Sequence, residues 1–383
     1  MAANDAFITG FGVFLPNDPV SNEDIEKVLG QVNQIPSKIK RRILINNGIR
    51  FRHYAIDPQS GQKTHTNAQL TAEATRKLAS NANFDLNDLE CLVCGTSSPD
   101  QFIPSHGSMV HAELGGPACE VATTTGVCCC GMSALKYGYM NVASGNVKNA
   151  VTTGSELASP SLTANHFQPA LGLLRSELGK EPMLGFATDF LRWMLSDGAG
   201  ALLLTREPRS SLSLKIDWLE ILSYAPESEV CMYYGMKKGD NGAILSYRGV
   251  SDPVEFCKEG FLNLAQDVAV LKDRVPVLMG KAVEQVKKKR ELSGDRIDWL
   301  LPHYSSDWFR QPMYDGMARL GLEVPQERWF TNLHTKGNIG SASIYVILEE
   351  LVSSGRLRSG QRILCMVPES ARMTFAFLHL TVV

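Results

Sequence analysis

Between residues 123 and 132 the chain switches from a strand pattern to a helix pattern, passing through three consecutive cysteines, Cys128, Cys129 and Cys130. Residues 118–124 read as an apolar strand, and Met132, Leu135, Tyr139 and Val142 then follow at 3-4-3 spacing, which predicts one buried helical face. Residues 144–146, Ser-Gly-Asn, close that helix, and residues 150–155 begin the next buried strand, with Glu156 at its end. A strand that turns straight into such a helix and out into another strand is the repeating unit of layered α/β folds. It also leaves at least one thiol near a helix N-terminus. Unpaired N–H groups and the positive end of the helix dipole favour an anion there, so such a thiol is expected to be unusually acidic. A free cysteine is equally a small buried hydrophobe, and both readings stand at this point.

The same alternation runs through the rest of the chain. Strands are expected at 6–15, 49–54 and 89–97, and helices at 67–78 and 104–114. Ser21 and Asp24 resemble a capping pair for a helix through Leu29. Ser196-Asp-Gly-Ala-Gly-Ala201 is a glycine turn entering a buried strand, and before it residues 158–191 look irregular, with Pro160, Pro169 and Pro182. The later part repeats the plan: strands at 212–221, 297–302, 361–367 and 373–380, helices at 307–320 and 341–353, and one long helical periodicity over 253–292. This predicts an α/β protein built from two related units, residues 1–205 and 206–383.

Composition narrows the function classes. A hydrophobic content of 44%, a charged content of 20% and a net charge of -2 describe a globular protein without the basic excess that nucleic acid demands. The start of the chain lacks a basic, then apolar, leader, and no apolar run is long enough to span a membrane, so a cytoplasmic location is expected. An odd count of nine cysteines, three of them adjacent, argues against a disulfide framework. Cys91 and Cys94 lie within a predicted buried strand, on opposite faces, which argues against a metal knuckle.

Three polar residues invite a chemical reading: His303, Asn338 and Glu156, which ends the strand after the cysteine helix. His303 follows the apolar run Trp299-Leu-Leu-Pro302, at a strand's C-terminal end, where α/β proteins collect their active sites. Asn338 sits in the glycine-flanked loop Thr335-Lys-Gly-Asn-Ile-Gly-Ser-Ala342, suited to presenting an amide. Cysteine, histidine and asparagine in that order fit acyl chemistry through a thioester, with donors holding negative charge on oxygen. Papain-like proteases share the order, but their signature around the cysteine is absent.

These residues carry a resemblance. Gly48-Ile-Arg-Phe-Arg-His53, Phe102-Ile-Pro-Ser105, Asp197-Gly-Ala-Gly-Ala201, Trp299-Leu-Leu-Pro-His303 and Gly337-Asn338 resemble the motifs of thiolase-fold condensing enzymes, above all β-ketoacyl-acyl-carrier-protein synthase III. The resemblance implies a duplicated α/β/α/β/α layered fold and a decarboxylative Claisen condensation through an acyl-cysteine. Cys128 is the implied nucleophile by its register to Glu156; Cys129 is the alternative, because Gly131 stands two residues after it. His303 and Asn338 are implied as donors to the carbonyl oxygen, and no cofactor or metal is implied. The implied partners are thioesters of an acyl carrier protein and a second copy of the chain, paired through the sheet edge near residues 119–124.

Departures from the family pattern point to a specialised branch. Arg42 and Asn46 stand where the family clamps the adenine of coenzyme A, so coenzyme A thioesters are disfavoured. Carrier proteins are acidic, and residues 38–42, 287–290 and Arg310 offer basic surface to one. Ser370-Ala-Arg372 replaces a glycine triplet that helps form the oxyanion hole. Glu156 is a candidate base for a ring-closing step, as in the ketosynthase-cyclases of dialkylresorcinol and stilbene pathways, which the chain is similar to. An ordinary chain-initiating synthase and a non-catalytic partner subunit are the alternatives, and the intact Cys, His and Asn speak against the second.

Overall fold

A computed structural model describes residues 5–34, 37, 39–170, 190–209, 212–239 and 243–383. Nine strands carry the architecture: β1 Phe7–Phe14, β2 Cys91–Thr96, β3 Glu120–Thr125, β4 Asn149–Glu156, β5 Gly198–Thr205, β6 Leu214–Ser223, β7 Trp299–Pro302, β8 Arg362–Glu369 and β9 Thr374–Val382. β2 and β5 are buried at every position, as strands covered on both faces must be. The strands connect in the order β7-β8-β9-β6-β1-β5-β4-β2-β3. At the centre β1 and β6 meet over the pairs Phe7 with Lys215 and Ile8 with Leu214, and Ile216 N donates to Ala6 O at 2.9 Å.

Outward from that seam the two sides follow one plan. β1-β5-β4-β2 runs antiparallel, antiparallel, parallel, and β6-β9-β8-β7 does the same. β3 is an addition at the outer edge, beside β2. On this frame β4 corresponds to β8, and β2 to β7.

Helices fill three layers. α1 Asn67–Asn81 and α2 His106–Leu114 put Leu70, Ala74, Leu78 and Val110 against Leu92, Cys94 and Leu203 on the outer face of the first half. α3 Cys128–Ser144 and α6 Ser343–Ser353 lie between the halves, where Met132, Leu135, Ile344 and Leu348 share a core with Val93, Leu202, Ile363 and Leu378. α4 Val268–Lys289 and α5 Arg310–Arg319 cover the far face with Leu271, Val275, Met313 and Met317. Alternation along β2 sends Cys91 to the middle core and Cys94 to the outer one, as the period of two requires. The middle layer is tight: a Cβ at Gly131 or at Gly154 would come within 2.4 Å of the Ser341 carbonyl oxygen.

Two expectations need correction, and a third is only partly covered by the described residues. The periodicity over 253–292 is two helices, Pro253–Lys258 and α4. Gly260, at φ +71°, ends the first; Ala265 and Gln266 then pair with Met232 and Tyr233, and Asp267 caps α4 by accepting from Val270 N at 3.0 Å. Ser21 donates to the Asp24 carboxylate at 2.6 Å, so it braces the residue before the helix Ile25–Leu29 and does not accept from its N–H groups. Within 158–191, short 3-10 turns span Ser159–Leu162 and Ala164–Ala170, and residues 171–189 lie outside the described residues.

Candidate active site

The structure separates the three cysteines. Cys128, the first residue of α3, lines a cavity of about 770 Å³. Cys129 turns away and donates to the Val367 carbonyl oxygen at 3.2 Å, and Cys130 donates to Val127 O at 2.8 Å. Of the two candidates, only Cys128 faces open space.

The start of α3 is not an open anion seat. One carboxylate oxygen of Glu369, Oε2, accepts from Val127 N at 3.0 Å and from Cys129 N at 2.9 Å. The acidic thiol expected from helix position is therefore corrected: burial pushes Cys128 well above the ordinary thiol range, and the Glu369 and Glu156 carboxylates add to it.

His303 leaves the end of β7, with its backbone N donating to Met366 O at 2.8 Å, and its ring lines the same cavity. Burial lowers its pKa to about 4, so the imidazole is neutral at physiological pH and carries one N–H. Asn338 reaches the cavity from the loop between Gly337, at φ +73°, and Gly340. Its backbone is fixed to the segment before β5, donating to Met194 O at 3.0 Å and accepting from Ser196 N at 2.9 Å. Its side-chain Oδ1 accepts from Gly340 N at 2.9 Å, which leaves the amide NH₂ as the group to offer a substrate.

Glu156 also lines the cavity, but both its oxygens are occupied. Oε1 accepts from Ser97 N at 3.3 Å and Ser341 N at 3.1 Å; Oε2 accepts from Ser97 Oγ at 2.6 Å and Ser98 Oγ at 2.8 Å. Burial still leaves its pKa above the usual carboxylate value. Asp197, of the Asp-Gly-Ala-Gly-Ala motif, works alike: it accepts from Ala55 N, Ala158 N and Ser159 N at 2.7 to 2.9 Å and so fastens the end of β4 to the start of β5.

The rest of the cavity is mainly apolar. α4 contributes Val275, Met279 and Val283, α5 contributes Met313 and Met317, and the segment around Met232, Leu262 and Leu264 forms a further wall. Ser370 and Ala371, from the turn replacing the family's glycines, lie on the rim, and Arg372 and Met373 after them take positive φ of 76° and 57° without glycine. Sequence reading missed Glu369 and that further wall; a glutamate closing β8 as Glu156 closes β4 was the available signal.

Much of the basic surface expected for a carrier is engaged within the chain. Lys40 pairs with Glu26, Lys289 and Arg290 pair with Glu220, and Arg310 binds Gln326. Lys38 lies outside the described residues. Arg42 and Asn46 are exposed on the helix Lys40–Asn47 and are not among the residues lining the cavity. Among the described residues no group of three or more His, Cys, Asp or Glu is placed to hold a metal ion, and no helix is long and apolar enough to cross a membrane.

Residues 288–367, which include His303 and Asn338, match the family described as 3-oxoacyl-[acyl-carrier-protein (ACP)] synthase III C terminal. β-Ketoacyl-[acyl-carrier-protein] synthase III of Neisseria gonorrhoeae is 26% identical over 365 residues, covering 94% of each chain. That of Clostridium perfringens is 25% identical over 361 residues with the same coverage. Among solved structures, AbyA1, a tetronic acid condensing enzyme, superposes with a TM-score of 0.76 at 18% identity, covering 98% of this chain and 99% of that one. OleA of Xanthomonas campestris gives 0.74 at 17% identity, covering 100% and 98%. The structural likenesses establish the fold. The fold is the one shared by these condensing enzymes, and the family match lies in its C-terminal part. More particularly, over 94% of its length the chain is similar to β-ketoacyl-acyl-carrier-protein synthase III.

Proposed function

We propose that the chain joins two acyl thioesters by decarboxylative Claisen condensation, with Cys128 as the nucleophile. The observation that carries this reading is that Cys128, His303 and Asn338, drawn from both halves, line one cavity. The Cys128 sulfur attacks the first thioester, and the carrier leaves as a thiol with the cysteine's proton. A β-carboxylated thioester then binds with its carbonyl oxygen facing the His303 and Asn338 donors. Its carbon–carboxylate bond breaks, carbon dioxide leaves, and the electron pair forms an enolate that these donors stabilise. The enolate carbon attacks the acyl-cysteine, the carbon–sulfur bond breaks, and Cys128 leaves as a thiolate that takes a proton from water to restore the thiol.

The apolar wall between α4 and α5 suits an alkyl tail. Carrier-protein thioesters are the proposed substrates, in keeping with the exposed, unclamping positions of Arg42 and Asn46. A cytoplasmic homodimer paired through β3, which stands at the sheet edge, and a division near residue 205 belong to the same reading; the matching strand orders support the division.

A second step, closing a ring to a cyclohexanedione or resorcinol-type product, is proposed for Glu156, a buried carboxylate on the cavity wall. To act as a base there it must release one serine hydroxyl, from Ser97 or Ser98. The test supplies a β-ketoacyl carrier thioester with a second acyl thioester and follows products by mass. A cyclic dione is expected. A linear β-ketoacyl product alone would reduce the reading to an ordinary chain-initiating synthase, and no product from any thioester pair would leave only the partner-subunit reading.

A further inference from the structure

Glu369 touches backbone and stays off the cavity wall, yet it sits at the most chemically sensitive point of the chain. It is 6% exposed, it ends β8, and its Oε2 receives the N–H groups of Val127 and Cys129, on either side of Cys128. Burial raises the Glu369 pKa above the usual carboxylate value, and the two N–H groups it accepts from pull it back down; when ionised it occupies the positive end of α3, so the helix has little left to offer a thiolate. The groups facing Cys128 do not reverse this. Glu156 comes from the end of β4 and is anionic when ionised; His303, on the same cavity wall, is buried and neutral; Cys129 and Cys130 point elsewhere.

We propose that Glu369 is a positioning residue that fills the anion seat at the start of the cysteine helix and keeps Cys128 a protonated thiol in the resting enzyme. This rests on Cys128 being the nucleophile, but it concerns the thiol before any substrate binds. The resting enzyme then resists alkylation and oxidation, because the thiolate is the reactive form. Burial of Cys128 and the nearby carboxylates act in the same direction.

The test is the pH dependence of alkylation at Cys128 by iodoacetamide, read by peptide fragmentation so that Cys129 and Cys130 are resolved. Glu369→Gln keeps an oxygen to accept both N–H groups and removes the charge. Its alkylation midpoint is expected to fall by about one pH unit or more, with about a tenfold faster rate at pH 7, and Glu369→Asp is expected to restore a profile close to wild type. An unchanged midpoint in a folded Glu369→Gln protein would overturn the proposal. Wild type gives a reading that needs no variant: a Cys128 midpoint below about 8 overturns it too. Neither reading depends on turnover, so failure of the condensation reading would show separately, as missing acyl transfer to Cys128.

Discussion

The two halves of the molecule share one strand plan and place different side chains at its equivalent points. After β2 comes Ser97, and after the corresponding β7 comes His303. β4 ends in Glu156 and β8 ends in Glu369. Each carboxylate reaches across to the other half's central helix: Glu156 accepts from Ser341 N, in the turn that leads into α6, and Glu369 accepts from Val127 N and Cys129 N at the start of α3. The carboxylates therefore belong to the shared scaffold, while Cys128 in one half and His303 and Asn338 in the other are where the symmetry is broken. In this account the asymmetric residues carry the condensation, and the two carboxylates carry stability in addition to the separate roles proposed for them at the cavity and at Cys128.

Variants can separate those two roles. The largest effect is expected at the asymmetric points. His303→Ala or Asn338→Ala should lower the condensation rate by about 100-fold or more while leaving acyl transfer to Cys128 in place, measured by product formation alongside intact mass. Equal loss of both steps would mean that these residues hold the cavity's shape and not the enolate.

The pH dependence of stability comes next. His303 is buried and protonates at about 4 when folded, against 6.5 for the free side chain. Between those values the unfolded chain binds more protons, so this residue makes the protein less stable as pH falls from 6.5 towards 4, by up to about 3 kcal/mol, and contributes no slope above that window. Urea unfolding at pH 7 and pH 4.5 should show the loss in wild type and a smaller one in His303→Asn.

The scaffold carboxylates should then behave alike. Glu156→Ala strands the N–H groups of Ser97 and Ser341, and Glu369→Ala strands those of Val127 and Cys129, so each is expected to cost about 2 kcal/mol in denaturant unfolding. A large loss from one and none from the other would break the equivalence. The smallest effect belongs to the tail site. Gly316 on α5 lines the cavity, and a Cβ there meets nothing within 4 Å, so Gly316→Leu should add bulk beside the apolar wall. About tenfold lower kcat/KM is expected for long acyl thioesters, with short ones unaffected.

Most of the frame was legible in the sequence because burial and periodicity coincide in it. The runs at 89–97 and 150–155 are strands covered on both faces, and Leu70, Ala74 and Leu78 keep the helical spacing that their layer demands. His303 and Asn338 were legible because each stands where a regular element stops. The break inside 253–292 was not, since its apolar spacing continues through Gly260 and only the backbone shows the turn. The acidity of Cys128 was misread for a related reason. Helix position predicts an open N-terminus, but the group that closes it lies 241 residues away, at the end of a strand in the other half. Local pattern around the cysteines carries no trace of such a contact; only the matching glutamates at the ends of β4 and β8 point to it.

The central claim is that one of the three adjacent cysteines, Cys128, carries the acyl group. Intact-mass measurement after incubation with an acyl thioester tests it directly on wild type and on each Cys→Ala variant. The account predicts an acyl adduct on wild type, Cys129→Ala and Cys130→Ala and none on Cys128→Ala; an adduct that survives Cys128→Ala would contradict it.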